Sequence, residues 1–84
     1  MDKKIGKITH YYNKIGVAVV KLIKPLFVGD KIKISGHDQE FEQEVKSIQK
    51  DHLAVQKAKA GDEIGLKVDK PVKENDEIYE VVVR

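Results

Sequence analysis

Apolar and polar residues alternate with period two along most of the chain, the spacing at which successive side chains point to opposite faces of a strand. Ile32 and Ile34 alternate with Lys31, Lys33 and Ser35, and Ile64, Leu66 and Val68 alternate with Gly65, Lys67 and Asp69. Phe41 and Val45 share a face, with Gln43 between them, in a run whose other positions are glutamates. Residues 15–22 depart from simple alternation. Ile15, Val17 and Val19 make one apolar face and Ala18, Val20 and Leu22 the other, which predicts a strand that is central or covered on both sides. Residues 5–12 read as a strand with an irregularity near Gly6, and residues 78–83, with Val81, Val82 and Val83 in succession, as another. Residues 53–60, rich in Lys and Ala, are the one segment with helical composition, but the run is short for a helix and predicts a loop or a single turn.

The punctuation between these runs is that of turns. Asn13-Lys14 is a tight-turn pair, Pro25 and Gly29-Asp30 mark a loop, Gly36-His37-Asp38 a turn, and Pro71 with Asn75-Asp76 another. One phrase recurs three times, as VGDKI at Gly29, AGDEI at Gly61 and ENDEI at Asn75. Gly29, Gly61 and Asn75 supply the positive φ that a tight turn requires. Asp30, Asp62 and Asp76 are placed to fold their carboxylates back onto nearby backbone N–H groups, and the Ile that follows enters the core. Each phrase is therefore read as a strand-entry device that fixes register. Six short strands at roughly even spacing predict an all-β domain, a six-stranded antiparallel barrel closed or nearly so.

Composition narrows the chemistry. Eighty-four residues make one domain, residues 1–84, with a small core. The absence of cysteine excludes disulfides, thiolate metal sites and Cys nucleophiles, and suits a reducing, cytoplasmic setting. The opening residues lack the apolar core of a signal peptide, and no apolar run approaches a membrane span. The net charge is only +2, and every basic residue is Lys except Arg84. Without the forked guanidinium, sequence-specific reading of duplex DNA is not expected, whereas Lys point charges suffice for following a phosphate backbone.

No phosphate-binding glycine loop is present, and His10, His37 and His52 have no metal-ligand spacing, so neither cofactor nor metal is expected. The acidic run Asp38, Glu40, Glu42, Glu44 reads as the solvated side of a strand protected from edge pairing. Ser35 and Ser47 lie in strand context without a nucleophile elbow, which leaves no basis for an enzyme. Of the adjacent Tyr11 and Tyr12, one is expected in the core and the other at a barrel end, since neighbours on a strand face opposite ways.

The stretch Val45-Lys46-Ser47-Ile48-Gln49, then His52, then residues 58–66 (AKAGDEIGL), resembles the second domain of translational GTPases, elongation factor Tu above all. The first half agrees, with Gly16-Val17-Ala18-Val19-Val20 and Leu26-Phe27-Val28-Gly29-Asp30-Lys31-Ile32 resembling that domain's first hairpin and its V-G-D turn. The resemblance implies a Greek-key barrel of the translation-protein type. It places Gln49 at the family's glutamate that contacts the terminal adenosine of tRNA, and His52 at a basic residue of the same pocket. Pro25 and Lys21 depart from the family's usual Gly and Arg. Two functions follow as expectations. The first is a non-catalytic module binding tRNA or ribosomal RNA through Gln49, His52 and a lysine face of Lys14, Lys21, Lys24, Lys31 and Lys33. The second is a protein-interaction module that docks on a separate GTPase or enzyme without RNA. Such barrels also occur appended to other catalytic domains, including the collagenase-like peptidase family.

Overall fold

A computed structural model describes residues 3–36, 39–51 and 53–81. Ten strands follow in chain order: β1 (Lys3–Tyr12), β2 (Val17–Leu22), β3 (Leu26–Phe27), β4 (Lys31–Ser35), β5 (Glu40–Glu44), β6 (Ile48–Lys50), β7 (Leu53–Val55), β8 (Lys57–Ala58), β9 (Glu63–Lys67) and β10 (Glu77–Glu80). No helix occurs among the described residues. Eight strands form one antiparallel sheet in the order β5-β4-β10-β1-β2-β9-β6-β7, and β3 pairs with β8 in a small second sheet. The all-β, antiparallel expectation is met. The expectation of a closed barrel of six strands is not, because the main sheet has eight strands and ends in two edges, β5 and β7.

The miscount has a local cause. Residues 53–60 form β7 and β8 in place of the expected loop. Val55 packs on the core and Ala58 is buried beneath it, so two short pairings override a composition that does not favour strand. The long β1 carries the expected irregularity at Gly6, where the register with β10 shifts between Lys4 and Gly6. A side chain at Gly6 would stand 2.9 Å from both the Lys21 carbonyl and Val20 Cγ1, so only glycine lets β2 come this close. A second shift, between Ile8 and His10, left no mark in the hydrophobic pattern.

The inward positions of the alternating runs make one core: Ile5, Ile8, Val20, Leu22, Ile32, Ile34, Ile48, Ile64, Leu66 and Ile78 are all buried. Each such side chain contributes about 1.5–3 kcal/mol through removal of apolar surface from water. Gln43, only 5% exposed, faces the same core from edge strand β5. Its Nε2 donates to the Lys67 carbonyl at 2.8 Å, and its Oε1 accepts the Asp69 N–H at 2.8 Å. Gln39 reaches the Pro71 carbonyl on the same side, and Lys46 pairs with Asp69 at 3.0 Å. The open edge β5 is thus held to the chain beyond β9 by side chains, not by a strand ladder.

The recurring turn phrase behaves as its residues require. In Phe27-Val28-Gly29-Asp30, Lys59-Ala60-Gly61-Asp62 and Lys73-Glu74-Asn75-Asp76 the third residue has φ of 99°, 91° and 75°. The first carbonyl accepts the N–H of the Asp at 3.1, 3.1 and 3.2 Å, the mark of a type II turn. The Asp carboxylate accepts the first residue's N–H at 3.0, 3.0 and 2.9 Å. The turns deliver the chain into β4, β9 and β10. Expectations that involve His37, Asp38, His52 and Val82 to Val83 lie outside the described residues.

Candidate functional site

The apolar outer face of β2 is where the structure adds most to the sequence. Ala18, Val20 and Leu22 enter the core, but Val17 and Val19 stand on the opposite face, only partly buried. β2 is central in the sheet, as one of the two expected readings has it, and the other, a second cover, does not come from the described residues. Across the sheet, Val19 pairs with Gly65 of β9, and Gly65 with Gln49 of β6, which pairs in turn with Ala54 of β7. The row is low at its centre because Gly65 has no side chain. A Cβ there would meet Val17 Cγ1 at 3.3 Å and Gln49 Cβ at 3.8 Å.

The result is a groove of about 420 Å³ lined by Tyr12, Val17, Val19, Gln49, Gly65 and Glu63, with Ile15 and Asp51 also at its margin. Its size falls within the usual range for a bound side chain or small ligand, roughly 300–1,000 Å³. Ile15, 60% exposed on the β1–β2 turn, and the half-exposed Tyr12 form one wall. Tyr12 is held by an edge-on contact with His10, ring centroids 4.4 Å apart, and His10 pairs with Glu74 at 3.4 Å. Tyr11 turns the other way and packs partly against the core, as the strand alternation requires.

The groove rim is acidic in a chain of net positive charge. Glu63 accepts only the Thr9 hydroxyl, at 3.4 Å, and Asp51 sits at φ 53° where β6 ends. Among the described residues neither carboxylate forms an ion pair. Three neighbouring lysines have their ammonium groups engaged by other partners. Lys21 donates to the Gly61 carbonyl at 2.9 Å, Lys67 to the Ile15 carbonyl at 2.8 Å, and Lys50 pairs with Asp62 at 3.3 Å. The Asp62 carboxyl is held below the usual range, first by the Lys59 N–H and then by Lys50.

The residues singled out in the sequence are scattered over this frame. Gln49 lies in the groove, and Lys14 lies beside it on the β1–β2 turn, in a shallow depression shared with Tyr12 and Ile15. Lys21 is on β2 and Lys24 on the exposed loop after it. Lys31 and Lys33 are on β4, which β10 and β1 separate from β2. They face Glu42 at 3.6 Å and Glu40 at 4.0 Å, and Lys33 lies over the Tyr79 ring. The lysines therefore do not gather with Gln49 on one face. His52 lies outside the described residues. Val17, Val19, Gly65 and Glu63 were visible in the sequence only as strand pattern. What marked them was the doubly apolar run at residues 15–22 beside a glycine in the middle of another strand.

No protein-family model matches the chain. An uncharacterized protease of Methanocaldococcus jannaschii is 38% identical over 77 residues, which cover 90% of this chain. The chain spans about a fifth, 19%, of that relative's length. The fold is that of the crystal structure of the C-terminal domain of a Geobacillus thermoleovorans putative U32 peptidase: TM-score 0.89 at 18% identity, covering 95% of this chain and 93% of that one. The selenomethionine variant of the same domain gives a TM-score of 0.88, covering 93% and 99%.

These findings correct the likeness to translational GTPases. The relatives found are peptidase-type proteins, and the translation-factor reading, with its RNA-binding role for Gln49, His52 and the lysines, falls with it. The reason is physical. The motifs behind that likeness, V-G-D-x-I and A-x-x-G-D-x-I-G, are type II turns with an Asp cap. Any small barrel-like sheet can use the same device to start a strand, so it reports backbone geometry and not a ligand.

Proposed function

We propose that this chain is a non-catalytic accessory β-domain of a U32-type, peptidase-like protein, and that it serves a catalytic body by docking and presenting polypeptide. The observation that carries this reading is the 38% identity over nearly the whole chain to about a fifth of an uncharacterized protease. A segment that small, matched end to end and shaped like a putative peptidase's terminal domain, fits an appended module better than a reaction centre. The uncovered outer face of β2 supports the same reading, since a strand apolar on both faces is built to be covered on both. The long-range pairings of β1 with β10 and β2 with β9 support a Greek-key path for the sheet. The absence of cysteine supports cytoplasmic residence.

Two proteins test it: the Methanocaldococcus jannaschii relative with its matching segment deleted, and the same protein with this chain in its place. The deletion is expected to lose capture and cleavage of casein, the replacement to restore both, and the isolated chain to release no fragments. Cleavage by the isolated chain, or full cleavage by the deleted protein, overturns the proposal.

A further inference from the structure

We infer that the groove on the outer face of β2, β9 and β6 binds a short extended peptide segment carrying an apolar side chain next to Lys or Arg. Three observations select this occupant. The floor, Val17, Val19 and Gly65, is apolar, and the Gly65 notch admits a side chain that any residue with a Cβ would exclude. The rim carboxylates, Glu63 and Asp51, form no ion pair among the described residues, while Lys21 and Lys50 are engaged by the Gly61 carbonyl and Asp62, and Lys67 by the Ile15 carbonyl at the groove wall. Rim carboxylates without an ion-pair partner among the described residues, in a chain of charge +2, favour cationic side chains. Finally, Gln49 presents an amide from the floor, exposed on β6, which can both donate to and accept from a passing peptide backbone. The choice of a peptide rests on the accessory reading; the choice of its charge and shape rests on the groove alone.

The test uses the purified chain and a fluorescein-labelled peptide of about eight residues alternating leucine and lysine, long enough to cross the three strands. Fluorescence polarisation gives affinity, and amide chemical-shift mapping by NMR gives the place. Shifts are expected at Val19, Gln49 and Gly65, with binding weakened by salt. The same peptide with glutamate for lysine, or serine for leucine, is expected to bind about tenfold more weakly. The double variant Glu63→Gln with Asp51→Asn changes only exposed groups and keeps an αL-tolerant residue at position 51. It is expected to reduce affinity for the lysine peptide about tenfold and to flatten the salt dependence. Gly65→Val is expected to abolish binding, with the double variant keeping the test decisive should Gly65→Val fail to fold. Equal binding of the glutamate peptide, shifts centred away from the groove, or shifts induced by an oligonucleotide and not by the peptide overturn the inference. None of these results bears on whether the chain replaces the segment of the longer relative, so the two proposals fail separately.

Discussion

Two halves of one sheet share the same inward pattern and have opposite exteriors. On β4 and β5, Ile32, Ile34 and Phe41 point in, while Lys31 and Lys33 point out to meet Glu42 and Glu40. On β2 and β9, Val20, Ile64 and Leu66 point in, while Val17, Val19 and Gly65 point out and leave an apolar floor between charged neighbours. The interior needs the same thing from both halves, apolar volume, and alternation supplies it. The exteriors answer different demands. β5 is an edge strand, and a ladder of glutamates with lysine partners discourages another strand from pairing there. The β2–β9–β6 face lies inside the sheet, needs no such protection, and is left apolar and indented.

The largest expected effect comes from breaking the link that keeps the charged half in place. Gln43→Ala takes the Gln43 amide from the part-buried Lys67 carbonyl and Asp69 N–H. It should cost about 2–3 kcal/mol of stability in urea unfolding, because two hydrogen bonds are lost and a part-buried group carries the low end of a penalty of about 1–3 kcal/mol. A cost below ~1 kcal/mol would mean that β5 is held by the core alone. Smaller is the difference between the strand-entry turns of the two halves. Asp76, 6% exposed, caps the turn into β10 beside the charged half, and the more exposed Asp62 caps the turn into β9 under the groove. Asp76→Ala should cost about 1–2 kcal/mol, and Asp62→Ala less; the reverse order would show that burial does not set the value of the cap. Smaller again in stability is Glu42→Val, which makes the β5 exterior resemble the groove. Its folding free energy should stay within about 1 kcal/mol of the parent, yet sedimentation should show more self-association than in the parent. A monomeric variant would remove edge protection as the reason for the contrast.

The smallest effect is in pH dependence, and it separates the halves on the alkaline side alone. Glu77 on β10 accepts Lys4 at 2.6 Å and the Tyr79 hydroxyl at 2.9 Å. The Lys4 bond, followed by the Tyr79 bond, holds its carboxyl below the usual range, as the Lys59 N–H does for Asp62. Carboxyls lowered in the folded state stabilise above their unfolded pKa, and that contribution is lost as pH falls through the folded value, so both halves weaken on the acid side. Lys4 and Tyr79 are both raised, chiefly by the bond to Glu77. Their contribution is present below their unfolded pKa and fades as pH rises through the folded values, on the alkaline side. Thermal unfolding across pH should therefore show a shallow alkaline decline that Glu77→Gln removes and Asp62→Asn leaves intact. An unchanged alkaline limb in Glu77→Gln would overturn the assignment.

Much of this protein was decided locally and is legible in the chain. Alternation named the core isoleucines, placed Gln43 on the same face as Phe41 and Val45, and set Tyr11 and Tyr12 on opposite sides, because a strand's side-chain period is fixed by backbone geometry. The three turn phrases declared their own conformation, since a positive φ favours Gly or Asn and a cap needs a short acceptor. What lay beyond the sequence was whatever depends on partners far along the chain. Residues 53–60 became β7 and β8 only because β6 and β3 were there to pair with them. Gln43 became a clasp only because the end of β9 came within reach. Lys31 and Lys33 were drawn into ion pairs on β4, with two strands between them and Lys21. The groove joins residues from three strands at Gly65. Periodicity states which way a side chain points, and only the assembled sheet decides what it meets.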